Sequence, residues 1–411
     1  MSDGSWLTLP ADTGFGPANL PFGVFSWDSS AARRVGVAIG GQVLDLTSLA
    51  AEQNLRVADL FAAGTLDRFL AAGRPVWREI RARLTDWLTS PTGRPVIEPH
   101  LLPRNDVRLH LPFTVGDYVD FYSSRHHAEN AGRIFRPNLP PLPKNWLHLP
   151  VGYHGRSGTV VVSGTDIVRP RGQRLAPGEQ TPSYGPTLRL DMEVEVGFVV
   201  GTPSRHGIPV PLADFAEHVF GVFLVNDWSA RDIQMWESQP LGPFLGKSFA
   251  TSISPWVVPL DALEQARVAP PPHDPEPMPY LAESDEPWGL DLALEARLNG
   301  HPVSRPPFAS MYWTPAQQLA QLTANGASVR TGDFYASGTV SGPEPDQRGS
   351  FLELSWGGRD PLTLPDGSQR TFLADDDEVT ITASAPGPDG GRIDFGEVTG
   401  RIRPALGTSP G

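Results

Sequence analysis

Glycine and proline interrupt this chain at close intervals, with 42 Gly and 44 Pro spread through 411 residues, so few stretches can form a long unbroken helix. A chain punctuated in this way folds mainly as short strands joined by turns. Phe22 to Trp27, Val35 to Ile39 and Val43 to Leu46 read as such strands, the last two separated by the turn Gly40-Gly41. Ala51 to Leu88 carries apolar residues at helical spacing, among them Leu60, Leu66, Phe69, Trp77, Ile80 and Leu84. Ser90 to Pro112 is proline-rich, has little periodicity and reads as a linker; it divides the chain into a first domain over residues 1–110 and a second over 111–411. The second is dominated by strands, with candidates at Thr159 to Ser163, Leu188 to Val200, Val219 to Val225, Leu290 to Leu298 and Glu378 to Ala383. Asn299-Gly300 has the signature of a two-residue hairpin turn. Thr314-Pro315, a cap followed by proline, opens a helix that ends near Asn325-Gly326. Ala269 to Pro287, dense in proline and acids, reads as a surface loop.

Composition removes several kinds of chemistry. The chain has no cysteine, which excludes disulfides, thiolate metal sites and a cysteine nucleophile, and suits a reducing, cytoplasmic setting. Its net charge of −13, with no block rich in Lys and Arg, weighs against nucleic acid as a partner. No apolar run approaches the roughly 18 residues of a membrane span, and Met1 to Asp12 lacks the basic start and apolar stretch of a signal peptide. Catalysis would have to come from oxygen, imidazole or cationic groups.

Three segments carry such groups. In Leu188 to Val196 apolar and charged residues alternate, which places Glu193 and Glu195 on one side of a strand, close enough to share a cation; read alone, the pattern also fits a solvated face. Val222 to Val225 reads as a buried strand leading into a helix from Asp227, on which Asp227, Arg231, Gln234 and Ser238 share a stripe. Read alone, Asp227 could equally be a helix cap. Asp117 to His127 leads into a helix reaching Phe135, where the adjacent His126 and His127 point about 100° apart and cannot both face one site. Beyond these, Phe351 to Trp356 reads as a strand with Glu353 facing away from Leu352 and Leu354. No HExxH pattern supports zinc, and Gly246-Lys247-Ser248 lacks the upstream glycine of a phosphate loop.

Taken together, Asp120 to His127, Asn145 to Gly155, Asp191 to Glu195, Asn226 to Gln234, Pro240 to Thr251 and Ser337 to Trp356 resemble the fumarylacetoacetase family over nearly the whole chain. The resemblance implies a mainly β fold, with a small N-terminal SH3-like β-barrel domain followed by a larger β-roll catalytic domain, working as a homodimer on a small diketo acid. The implied reaction is hydrolysis of 4-fumarylacetoacetate to fumarate and acetoacetate, the last step of phenylalanine and tyrosine breakdown. By resemblance, Asp120, Glu193, Glu195 and Asp227 bind a divalent cation, for which an all-oxygen set implies Ca²⁺ or Mg²⁺. By the same resemblance, the main chain around Lys247 and the Thr251 position mark a second cation site. His127 resembles the base that deprotonates water, and Glu353 the acid that orients it; Arg231, Gln234 and Lys247 resemble the donors to an alkoxide. Tyr122, Arg136, Tyr153, Gln234, Ser238 and Thr339 take the positions that grip the substrate. Ser238 stands where the family usually has tyrosine, which implies room for a longer or bulkier diketo acid, and Ala250 stands where it often has glycine. The same metal cage also occurs in related hydrolases, hydratases and decarboxylases, and a cation-stabilised binding protein is the alternative from a different class.

Overall fold

The computed structural model of the protein describes residues 6–10, 13–27, 32–282 and 287–407. Two large sheets dominate it, built from the β-branched and aromatic runs between the glycines and prolines. The larger sheet begins with Leu101–Pro103, Gln42–Asp45, Arg34–Ile39 and Phe22–Trp27 side by side. It continues through Trp256–Pro259, Val219–Asp227, Val194–Val200, Phe334–Ala336, Tyr118–Phe121 and Gly152–His154. Phe22 and Gly23 pair with Val257 and Trp256, so backbone hydrogen bonds join the first hundred residues to the rest. The smaller sheet runs in the order His301–Ser304, Ala293–Leu298, Glu378–Pro386, Arg392–Arg403, Ile167–Val168.

Strand parity decides what each face packs against. Val219–Asp227 is buried along its length. Its Val222 and Leu224 join a core with Leu294, Ala296, Ile381 and Val398 of the smaller sheet. Its Phe223 and Val225 join the opposite cluster, with Phe22, Phe69 and Trp77. Phe69 stacks on Phe22 at 4.9 Å and meets Phe220 edge-on at 5.5 Å, which ties the early helices to the later sheet. Each such side chain, fully buried, stabilises the fold by about 1.5–3 kcal/mol.

Several expectations from sequence shift. The helical spacing over 51–88 resolves into Leu46–Glu52, Ala58–Phe61, Asp67–Ala71 and Arg74–Thr89, with Leu46 starting a helix instead of ending a strand. Gly64 and Gly73, at φ of +66° and +83°, break the run. The stretch read as a linker contributes two strands: Leu101–Pro103 pairs with Gln42–Leu44, and Val107–His110 with Val24–Trp27. Strands of three and four residues are too short to show a period, yet long enough to pair in a sheet. Leu188 to Val200 is interrupted, with strands only at Leu190–Asp191 and Val194–Val200. Asn299 and Gly300, at φ of +51° and +82°, do form the hairpin turn. Thr314 caps the helix Pro315–Thr323 in a reciprocal capping box. The acidic loop is only partly a surface feature, since Leu281 is fully buried. Residues 283–286 of that loop, and residues 1–5, 11 and 12 of the amino-terminal stretch, lie outside the described residues.

Candidate active site

Neighbouring strands at one end of the larger sheet bring the acids together. Asp120 lies opposite Tyr153 on one side and Ala336 on the other; Glu195 lies opposite Val225, and Asp227 opposite Thr251. Asp227 shares parity with Phe223 and Val225, and Asp120 with Tyr118, so these carboxylates leave the face opposite the inter-sheet core. Carboxylate oxygens of Asp120, Glu193, Glu195 and Asp227 all lie within 4.8 Å of one another, and all four residues are buried. The solvated-face reading of Glu193 and Glu195 therefore falls.

The helix expected from Asp227 begins instead at Arg231 and runs to Glu237, because Asp227 remains in its strand and Ser229–Ala230 pairs with Leu190–Asp191. Arg231 and Gln234 still meet: Arg231 Nη1 donates to Gln234 Oε1 at 3.2 Å, Nη2 to Glu193 Oε1 at 2.7 Å and Nε to Asp191 Oδ2 at 2.8 Å. The Lys247 ammonium donates to Asp227 Oδ2 at 2.6 Å and also to Glu193. Thr251 Oγ donates to Asp227 Oδ1 at 3.0 Å, and the Tyr153 hydroxyl to Asp227 Oδ2 at 3.4 Å.

Even so, the buried carboxylates outnumber the cations, and among the described residues Asp120 Oδ1 and both oxygens of Glu195 are buried without a hydrogen-bond partner. Buried negative charge left uncompensated costs several kcal/mol per ion, so this cluster calls for a bound cation or for protons. Its chemistry, oxygen throughout, fits a hard divalent ion. Burial, and next the charge of Asp227, push the Asp120 carboxyl well above the usual carboxylate range; burial, then Asp120, do the same to Glu195. Against the upward push of burial, Arg231 and Lys247 hold Glu193 below that range.

A stability prediction follows from the raised pair. Above the ordinary carboxylate pKa, folded protein without an ion keeps protons on Asp120 and Glu195 that the unfolded chain has released, so stability falls as pH rises towards the raised values. The Tm of chelator-treated protein is expected to decline from about pH 5 upward, and saturating Ca²⁺ or Mg²⁺ to flatten the decline. A Tm that climbs over the same range without added ions would contradict the assignment.

His127 sits on the helix Arg125–Phe135, where the Ser124 hydroxyl accepts from its backbone N–H and caps the first turn. Its side chain is buried, whereas neighbouring His126 is only partly buried. His127 Nδ1 lies 2.6 Å from Glu353 Oε2. Glu353 also accepts from Ser341 and Ser350 at 2.9 Å each and from Asn130 at 3.0 Å. Against the upward push of burial, His127, Asn130 and Ser350 hold its carboxyl below the usual range, so it is anionic and only accepts. The shared proton therefore belongs to Nδ1, and Nε2 faces Glu193 Oε1, 3.9 Å away. Glu353 is not on a strand, as its sequence pattern suggests, but on the single turn Phe351–Leu354; the Ser350 cap and the Asp191 carboxylate capture the N–H groups of that turn.

A cavity of about 510 Å³ opens onto these groups, within the range of a small-molecule site. Tyr122, Arg136, Tyr153, Gln234, Ser238, Lys247 and Thr339 line it together with His127, Glu193 and Glu195. Thr339 reaches the cavity from a tight turn at Gly338, whose φ is +75° and where a Cβ would stand 2.1 Å from the Phe121 carbonyl oxygen. Ser238 turns its hydroxyl back onto the Gln234 carbonyl. Sequence reasoning misses Asp191, Asn130, Ser341 and Ser350. Asp191 shares the parity of Glu193 and Glu195, and Asn130 follows His127 by one helical turn, so both carried a usable signal; the serines, common in turns, carried none.

Comparison with known proteins identifies the family. A family model described as fumarylacetoacetase N-terminal matches residues 18–112, and one described as fumarylacetoacetate (FAA) hydrolase C-terminal matches residues 118–403. The chain is 47% identical to the fumarylacetoacetase of Homo sapiens over 417 residues, which cover 98% of this chain and 99% of that one. It is 44% identical to the fumarylacetoacetase of Arabidopsis thaliana over 419 residues, 98% of each. Among solved structures, a fumarylacetoacetate hydrolase from Exiguobacterium antarcticum is similar in fold, with a TM-score of 0.54 at 17% identity, covering 94% of this chain and all of the other. A maleylpyruvate hydrolase from Sphingobium gives a TM-score of 0.52 at 15% identity, with the same coverage.

Proposed function

Because this chain belongs to the fumarylacetoacetase family and hydrolyses the carbon-carbon bond of fumarylacetoacetate, we propose that His127 and Glu353 activate the water beside a divalent cation held by Asp120, Glu193, Glu195 and Asp227. The observation that carries this reading is the 2.6 Å His127–Glu353 contact, which frees Nε2 beside the carboxylate cluster. Nε2 takes a proton from water as its oxygen adds to the ketone carbon next to the bond to be broken. Arg231, Gln234 and Lys247 donate to the alkoxide that forms. The alkoxide collapses, the carbon-carbon bond breaks, fumarate leaves as the acid, and the imidazolium proton passes to the enolate carbon of acetoacetate. When bound, a Ca²⁺ or Mg²⁺ ion supplies charge stabilisation for the enolate leaving group. Tyr122, Tyr153 and Thr339 hold the substrate chain; Arg136 pairs with a terminal carboxylate, and Ser238 leaves space at the far end.

Thr251, whose hydroxyl bonds Asp227, and the main chain around Lys247 are where a second cation would sit. The catalytic region begins near residue 111, after an N-terminal domain over 1–110. A homodimer is supported by the unusual exposure of Leu188, Met235, Trp236, Leu241, Phe244 and Leu245. A cytoplasmic location suits a chain with no cysteine and, among its described residues, no helix long and apolar enough to cross a membrane. The reading is tested by incubating the purified protein with fumarylacetoacetate and Mg²⁺ or Ca²⁺ and following both products. Fumarate and acetoacetate appearing in equal amounts support it; a single hydrated or decarboxylated product refutes it.

A further inference from the structure

Asp191 is a fully buried carboxylate to which the hydrolytic route gives no task. Its Oδ1 accepts from the backbone N–H of Phe351 at 2.7 Å, and its Oδ2 from the backbone N–H of Leu352 at 2.9 Å and from Arg231 Nε at 2.8 Å. These donors belong to opposite arms of the site. Phe351 and Leu352 open the four-residue turn that carries Glu353, and with it the orientation of His127. Arg231 carries the guanidinium assigned to the alkoxide.

Neither arm is self-supporting. A single turn cannot hold its place through its own hydrogen bonds, and its first N–H groups have no partner within the turn. Two of them end on Asp191. Arg231 commits Nε to Asp191, which fixes the plane of the guanidinium and leaves Nη1 and Nη2 for Gln234 and Glu193. The backbone of Asp191 is itself pinned, since Leu190–Asp191 pairs with Ser229–Ala230 immediately before the Arg231 helix. A charged acceptor with three donors in a dry interior is a stiff joint.

We propose that Asp191 is a positioning residue that sets the Glu353–His127 pair and the Arg231 guanidinium in register, so that both act on one carbon. The inference rests on the roles given above to His127 and Arg231; Asp191 itself acts only through them. Asp191→Asn keeps the shape but turns an amide donor towards groups that already donate. Its kcat is expected to fall about 10- to 100-fold, with KM and the calorimetric affinity for Ca²⁺ each within about threefold of wild type. Because Asp191 works partly through Arg231, Asp191→Asn/Arg231→Gln should lose less than the product of the two single losses. A purely structural role would lower Tm and yield while leaving kcat per folded molecule unchanged. Asp191→Glu, which keeps the charge but moves it by one methylene, is expected to lose kcat as well and serves if the amide variant does not fold. Wild-type kcat in either folded variant, or failure of both to fold, overturns the proposal. Arg231→Gln and His127→Ala run alongside separate the two readings: if they lose activity and Asp191→Asn does not, the positioning role alone fails, whereas wild-type kcat in both removes the route on which it rests.

Discussion

Replacing His127 with alanine should lower kcat by about 10²- to 10⁴-fold while changing KM only slightly. The cavity explains the split. His127 presents one nitrogen to the site, and the grip on the substrate is proposed to come from other residues lining the cavity, Arg136, Tyr153 and Thr339 among them. Losing the imidazole therefore removes proton transfer from the transition state and little from the bound ground state. Glu353→Gln should follow in the same direction, by about 10²-fold or more, because an amide cannot reproduce the anionic acceptor that keeps the proton on Nδ1. Steady-state kinetics on both variants, with circular dichroism to confirm folding, would check this. A His127→Ala enzyme with near-normal kcat would take the imidazole out of the chemistry.

Glu195→Gln should have the second large effect, on ion binding. Neither oxygen of Glu195 has a hydrogen-bond partner among the described residues, so the fold draws no visible support from its charge. Burial and the charges of Asp120 and Asp227 instead make that charge a burden in the ion-free protein. The substitution should weaken Ca²⁺ or Mg²⁺ affinity by at least about 100-fold, more than the loss typical of residues behind the ligands. It should also raise the Tm of chelator-treated protein above that of chelator-treated wild type, the reverse of what losing a structural contact does. Calorimetric titration and thermal unfolding read the two effects separately. Unchanged affinity, or a lower ion-free Tm, would mean that Glu195 is not a ligand.

Much of this could be read from the sequence, and the exceptions share a physical cause. The hairpin at Asn299-Gly300 and the cap at Thr314 depend on backbone conformation and a few neighbouring residues, so local spelling suffices. The acids of the cluster were legible as types and as parities. What parity could not show was that strands far apart in the chain place Asp120, Glu195 and Asp227 at the same end of one sheet, which long-range pairing decides. Glu353 reads as a strand residue because four residues carry no helical period; its turn exists because Ser350 and Asp191 supply acceptors from outside it. For the same reason Asp227 reads as the start of a helix, although pairing with Thr251 keeps it in a strand. Asp191 reads in sequence only as one more acid on the face of Glu193 and Glu195, because its importance lies in what it joins.

The claim on which the rest depends is that four carboxylates from separate segments hold one divalent ion beside an imidazole that works only with that ion in place. It is tested most directly by restoring Mg²⁺ or Ca²⁺ stepwise to chelated, folded protein while counting bound ions and measuring fumarate release from fumarylacetoacetate on the same samples. The rate should be near zero without the ion and rise in proportion as the Asp120, Glu193, Glu195 and Asp227 site fills, with Glu195→Gln lagging far behind. Full turnover by folded protein with no divalent ion bound would contradict it.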